Sequence, residues 1–245
     1  MSNGWNTFVT DFRFVFIQDD RWKSLFQGLG NTLVITFFAV MIGIVLGAIV
    51  ATVRTTYDKN NGDMKKRNPV GFYILSIANV ICKLYLTVIR GTPVVVQLMI
   101  AYFIIFATSN NSTAVAVFAF GINSGAYVAE IVRAGILAVD KGQMEAGRSL
   151  GLNKFQTMRY IIIPQAFKSI LPPLGNEFIV LIKETSIVGY VGMSDLTRVA
   201  NQMTSKLFDV FTPLLGIAFI YFVLTKVLSI LLAKLERRLR KSDNR

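Results

Sequence analysis

Residues 28 to 53 contain no charged side chain and are rich in valine, isoleucine and leucine. A helix needs about 20 mostly apolar residues to cross the ~30 Å of bilayer hydrocarbon. A stretch this long and this clean therefore has few stable places in water. Further apolar stretches cover residues 92–108, after a break at Gly91-Thr92-Pro93, and then 113–134, 166–192 and 212–233. Residues 70–89 are interrupted by Lys83 and ended by Arg90, and read as an interfacial helix or as the bent inner end of the second span. Only 16% of residues are charged, against roughly 25% in soluble domains. The chain is expected to be an all-α polytopic membrane protein, with residues 1–245 forming one transmembrane domain and a polar loop at about 135–165.

The residue inventory removes whole classes of chemistry. Histidine is absent, which excludes histidine-dependent triads, zinc sites and imidazole relays. Cys82 is the single cysteine, so no internal disulfide or cysteine-cluster metal site can form. No catalytic group and no metal site is expected. Residues 1 to 23 mix Asp11, Asp19, Asp20, Arg13, Arg21 and Lys23 with aromatics, which is not the pattern of a signal peptide. Neither repeats nor low-complexity tracts are visible, and Asp58 to Asn68 reads as a polar turn or loop. Gly43 and Gly47 form a small-xxx-small pair on the first span, read as packing.

The net charge of +12 acts as a direction signal, because cytoplasmic flanks carry the excess of lysine and arginine. With the amino terminus outside, only Arg13, Arg21, Lys23, Arg198 and Lys206 face out. The remaining cations, apart from Lys183 and Lys226 within spans, cluster in residues 54–90, 133–168 and 234–245, all on the inner side. The positive charge is then explained by topology, and no nucleic-acid partner is expected.

The inner loop has its own punctuation. Gly142 to Leu150 has good helix formers, and Gly151 sits where a left-handed closing residue belongs. Asn153 can cap a second helix with Gln156 in the capping-box position, and Pro164 should break or kink it. Leu150, Leu152, Phe155 and Met158 put apolar bulk among Arg148, Lys154 and Arg159. Such a ridge either meets a partner or folds back on the chain's own helix ends.

Glu145-Ala146-Gly147, then Gly151, then Ile161 and Ile163-Pro164, closely resembles the EAA loop of the membrane subunits of bacterial ABC importers, whose pattern is E-A-A, x3, G, x9, I-x-L-P. Gly147 and Ile163 depart from it. Arg90 to Leu98, Asn123 to Glu130, Asn176-Glu177-Phe178 and Lys183 to Ser186 are similar to the polar amino-acid permeases of the histidine, glutamine and arginine group, and the likeness spans about residues 24–240. It implies a five-span, MetI-like type I importer permease core with an outer amino terminus and a cytoplasmic carboxyl terminus, in the bacterial cytoplasmic membrane. It further implies a second permease subunit, the same chain or a homologue. Two ABC ATPase subunits would engage Glu145, Ala146, Gly147, Gly151, Ile161 and Pro164, and an extracytoplasmic binding protein would deliver a basic amino acid or glutamine. The chain lacks a GxxxxGK[ST] phosphate loop, so ATP and Mg2+ are expected on the partner ATPase and no cofactor here.

Ionisable residues within spans are costly and face a cavity or a partner. Glu177 and Glu184 are two helical turns apart and share a face, with Lys183 pointing away. An acidic stripe would favour a cationic substrate, and the resemblance places Glu177 at a pocket position of arginine-type relatives. Gln97, Asn123 and Asn176 could bind the α-amino and α-carboxylate groups, or could be interhelical hydrogen bonds. Glu130 and Arg133, three apart, read as an ion pair. A gradient-driven carrier would need internal symmetry that is not visible, and a membrane enzyme would need an acid-base pair that is not there.

Overall fold

The computed structural model describes residues 12–241, so Asp11 and Arg245 lie outside the described residues. Two short turns, Arg13–Ile17 and Gln18–Asp20, lead into α1 (Arg21–Arg67), followed by α2 (Pro69–Gly91), α3 (Val94–Ile100) with a wider turn at Ala101–Ile105, and α4 (Ser112–Leu137). The loop helices α5 (Lys141–Ser149) and α6 (Lys154–Thr157) precede α7 (Ile163–Glu184), α8 (Leu196–Leu207) and α9 (Phe211–Lys241). Among the described residues every element is helical.

α1 is 47 residues long, which at 1.5 Å per residue is about 70 Å, far more than a bilayer core. The helix therefore runs straight through the segment that composition assigns to a polar turn. It ends only at Asn68, whose side chain accepts from the Gly71 N–H at 2.9 Å and caps α2. α1 and α4 lie side by side in the same direction, joined along a seam of small residues. A Cβ at Gly43 would stand 2.9 Å from Ser124 Oγ, and one at Gly47 would stand 2.6 Å from Val128 Cγ1. The glycine pair of the first span is thus a close helix contact.

α7 runs antiparallel to α4. Ile170 packs over Gly135 near the loop end, and Ser124 meets Glu177 further up. Pro172 and Pro173 sit inside α7 and remove two backbone donors from its ladder. α7 is not among the helices apolar enough to cross on composition alone, which are Arg21–Lys59, Pro69–Gly91, Ser112–Leu137 and Phe211–Leu239. It ends at Glu184, short of the expected 192, and tightens to a 3-10 turn over Thr185–Val191 that Gly192 closes at φ 81°. One core cluster at the end away from the loop joins Ile35, Leu98, Phe120, Leu181 and Val188. A second joins Phe16, Leu25, Leu196, Val199 and Met203, holding α8 against α1.

Of its two readings, the stretch at 70–89 fits the bent inner end of the second span and not an interfacial helix. α2 is unbroken over 23 residues, and with α3 it climbs back along α4 in the opposite direction. Arg90 pairs with Glu130, Gln97 with Asn123 at 3.0 Å, and Tyr102 with Ser112 at 3.3 Å. α2 and α3 are therefore two legs of one ascent, and the stretch expected at 92–108 is only its upper leg. The Gly91-Thr92-Pro93 break sets the bend, because Pro93 has no N–H to continue the ladder.

Candidate coupling loop and membrane polar network

The loop between α4 and α7 is a helical elbow. Asp140 caps α5 by accepting from the Gly142 N–H at 2.7 Å. α5 closes with Gly151 at φ 84°, where Gly151 N–H donates to Arg148 O at 3.0 Å and Leu152 N–H to Gly147 O at 3.1 Å. That pair of bonds is the Schellman closure that a left-handed glycine permits. Asn153 then caps α6, its side chain accepting from the Gln156 N–H while the Gln156 side chain accepts from the Asn153 N–H, both at 2.9 Å. Gln165 donates to Gln143 at 3.2 Å and ties the start of α7 to α5.

Two loop expectations change. Pro164 does not break the helix. The backbone widens into a π turn over Met158–Ile162 just before it, and the proline then falls in the first turn of α7, where a missing N–H costs least. Gly147 is more than a looser version of alanine. It is buried, and a Cβ there would stand 2.5 Å from Thr157 Cγ2 and 2.9 Å from Ile161 Cδ1, so α5 and the following helix cross with no room for a methyl group. Glu145 and Ala146 face outward from this crossing and Ile161 is half-buried beneath it. Of the apolar ridge, Leu150 and Phe155 stand in the open at 80% and 72% exposure, while Leu152 and Met158 are half-buried against the protein.

Inside the bundle, the predicted polar residues divide into two groups. Glu177 is buried and accepts a hydrogen bond from Ser124 Oγ at 3.0 Å, and Glu184 is half-buried two turns further along α7. Asn176 is exposed beside Glu177. Gln97 and Asn123, by contrast, are brought together: Asn123 Nδ2 donates to Gln97 Oε1, and Gln97 Nε2 donates to Ile89 O at 2.7 Å and Thr92 O at 3.1 Å. Their amides bond to each other and to the α2–α3 break.

Glu130 and Arg133 do not pair with each other. Glu130 reaches Arg90 at the end of α2, and Arg133 reaches Asp58 on α1 at 2.8 Å. Helical spacing makes the local pair available, but these helices converge at the base of α4 and offer each residue a partner across a helix boundary. In the sequence Asp58 belongs to a polar stretch and Arg90 to the inner cations, and no spacing rule could match either to its partner.

Sequence reasoning also missed α8. Thr197, Arg198, Asn201, Gln202, Ser205 and Lys206 recur at helical spacing and line a cavity of about 510 Å3 shared with Ser186, Gly189 and Tyr190. The signal was present in that periodicity. Asp195 is fully buried at the head of α8 and accepts from the Thr197 and Arg198 N–H groups, both at 3.0 Å. Burial pushes its carboxyl above the usual carboxylate range, against these bonds, which pull it down.

The family described as "Binding-protein-dependent transport system inner membrane component" matches residues 43–241. The chain belongs to this family. The glutamine transport system permease protein GlnP of Escherichia coli (strain K12) is 37% identical over 220 residues, covering 88% of this chain and 93% of that protein. The arginine transport system permease protein ArtQ of Bacillus subtilis (strain 168) is 36% identical over 222 residues, covering 89% and 94%. The crystal structure of an amino acid ABC transporter with histidines is 44% identical, covers 88% of this chain and 94% of that chain, and superposes with a TM-score of 0.76. An inward-facing MetNI methionine ABC transporter, at 18% identity and a TM-score of 0.73, shares the fold. The chain is thus a polytopic permease subunit with a MetI-like fold.

Proposed function

We propose that this chain forms the translocation path of an ATP-driven ABC importer for polar amino acids, basic ones or glutamine, in a bacterial cytoplasmic membrane. The observation that carries this reading is the exposed elbow of α5 and α6, whose outward residues Glu145 and Ala146 lie on a frame built by caps, a glycine closure and a helix crossing. ATP and Mg2+ belong to two partner ATPase subunits seated on that elbow and its counterpart. A second permease, the same chain or a homologue, completes the path, and an external binding protein supplies the substrate. The amino terminus lies outside, which puts the elbow where ATP is available. The cargo class is supported by the relatives, which include permeases of glutamine, arginine and L-cystine systems.

The reading is tested by reconstituting the chain with its ATPase and binding protein in lipid vesicles. ATP added on the elbow side is expected to drive uptake of labelled arginine or glutamine, and a complex that hydrolyses ATP without uptake contradicts it.

Glu177 and Glu184 supply the charge that a cationic side chain would meet, with Asn176 at the edge. Glu177→Gln keeps size and the Ser124 bond but removes the charge. A hydrogen bond to a charged group is worth about 1.5–3 kcal/mol, so lysine and arginine transport should fall by roughly 10- to 100-fold in kcat/KM. Glutamine transport should change far less. Equal losses for all three substrates would remove the acidic stripe as a specificity element.

A further inference from the structure

One side chain, that of Gln97, bridges the break between α2 and α3. In a continuous helix the residue-93 N–H would donate to Ile89 O, but Pro93 has none. Gln97 Nε2 takes its place, donating to Ile89 O at 2.7 Å, and also reaches Thr92 O at 3.1 Å and Thr92 Oγ1 at 2.9 Å. Thr92 Oγ1 donates in turn to Val88 O at 2.8 Å. The last turn of α2 and the first turn of α3 are thus joined across the break through the Gln97 side chain, where the backbone ladder is interrupted.

The same amide faces α4. Gln97 Oε1 accepts from Asn123 at 3.0 Å, and the next residue, Ser124, donates to Glu177 on α7 at 3.0 Å. Two turns nearer the loop, Glu130 holds Arg90, the residue after Ile89. α4 therefore grips the bend on both sides, through Asn123 above the break and Glu130 below it, and continues directly into the coupling loop. A displacement of α4 relative to α2 and α3 alters one of these grips or the angle between those two helices.

We propose that Gln97 is a positioning residue that latches the α2–α3 bend to α4, so that movement at the coupling loop and occupancy at Glu177 are felt by the same helix pair. Side-chain hydrogen bonds suit this task, since each adds little net stability and can exchange without unfolding a helix. The proposal rests on the importer reading and assigns Gln97 a role other than substrate contact.

The test uses the whole complex in vesicles, comparing ATP turnover with and without the amino-acid-loaded binding protein. Gln97→Leu removes both sides of the latch, and Asn123→Ala cuts only its link to α4, leaving the α2 end capped. Both are expected to raise the unstimulated rate and to lower the stimulated-to-unstimulated ratio by about tenfold, equivalent to ~1.4 kcal/mol. Because they act on one contact, Gln97→Leu combined with Asn123→Ala should be no worse than Gln97→Leu alone. If Gln97→Leu does not assemble, Asn123→Ala carries the test. A variant complex that assembles and keeps the wild-type ratio overturns the latch, as do effects that multiply in the double variant. A wild-type complex whose turnover ignores the loaded binding protein overturns the importer reading and the latch with it.

Discussion

Glu145→Arg should abolish ATP-driven amino-acid uptake, by 100-fold or more, while leaving the permease folded and in the membrane. Glu145 is exposed on α5, and its side chain makes no hydrogen bond or ion pair among the described residues; the bond from Ser149 Oγ at 3.0 Å goes to its backbone oxygen. The frame beneath it, from the Asp140 cap through Gly147 to the Asn153 capping box, does not involve the carboxylate. Substitution of such a surface residue usually changes stability by no more than about 0.5 kcal/mol. Reversal of a charge at a protein contact, in contrast, costs several kcal/mol of like-charge repulsion, which is two or more powers of ten. The measurement is uptake and ATP turnover in vesicles, with the thermal midpoint of the purified permease as the folding control. Uptake within twofold of wild type would remove Glu145 from the coupling contact. A lowered thermal midpoint would mean that the frame had failed, as expected of a bulky residue at Gly147, where Thr157 and Ile161 leave no space.

The contrast between Glu145 and Gly147 also marks what a sequence can and cannot convey. The elbow was legible because its signals are local: a glycine with positive φ, an Asx cap and a glutamine three residues on act within one turn of themselves. The alanine-to-glycine departure at 147 was visible too, yet its cause lies ten residues away, in a crossing that only tertiary geometry supplies. The same holds for the bend. Gly91-Thr92-Pro93 announces a break, and residues 70–89 already allow the bent inner end of the same span, but nothing local says that Gln97 reaches back to Ile89 and across to Asn123. Asn123 is buried and Gln97 half-buried, and both amides are candidates on that ground. Whether a buried amide meets a ligand or another amide depends on which helices adjoin, and spacing is silent on that. Glu130 and Arg133 make the point in reverse: the local rule offers a pair, and two longer-range partners prevail.

Gly47→Leu is the substitution with the largest expected effect on folding. On an exposed helix face, replacing glycine by leucine improves helix propensity by nearly 1 kcal/mol. At Gly47 the added Cβ alone would stand 2.6 Å from Val128 Cγ1, 2.7 Å from Val128 Cβ and 2.8 Å from the Ala129 backbone nitrogen. The backbone atom cannot rotate away, so α1 and α4 must separate, and overpacking of this kind costs about 1–3 kcal/mol or more. Gly30, on the same helix, provides the control, because a Cβ added there would meet nothing within 4 Å. Gly30→Leu should leave the yield of folded permease and its thermal midpoint near wild type, whereas Gly47→Leu should lower both, with several-fold less chain recovered in detergent. Equal losses would mean that leucine harms α1 through its lipid-facing surface, not through the seam. The seam bears on transport as well, because Ser124, which touches the Gly43 position, is the donor to Glu177. Prying α1 from α4 should therefore disturb the acidic site first in those complexes that still assemble, and their loss of arginine uptake should exceed their loss of ATP turnover.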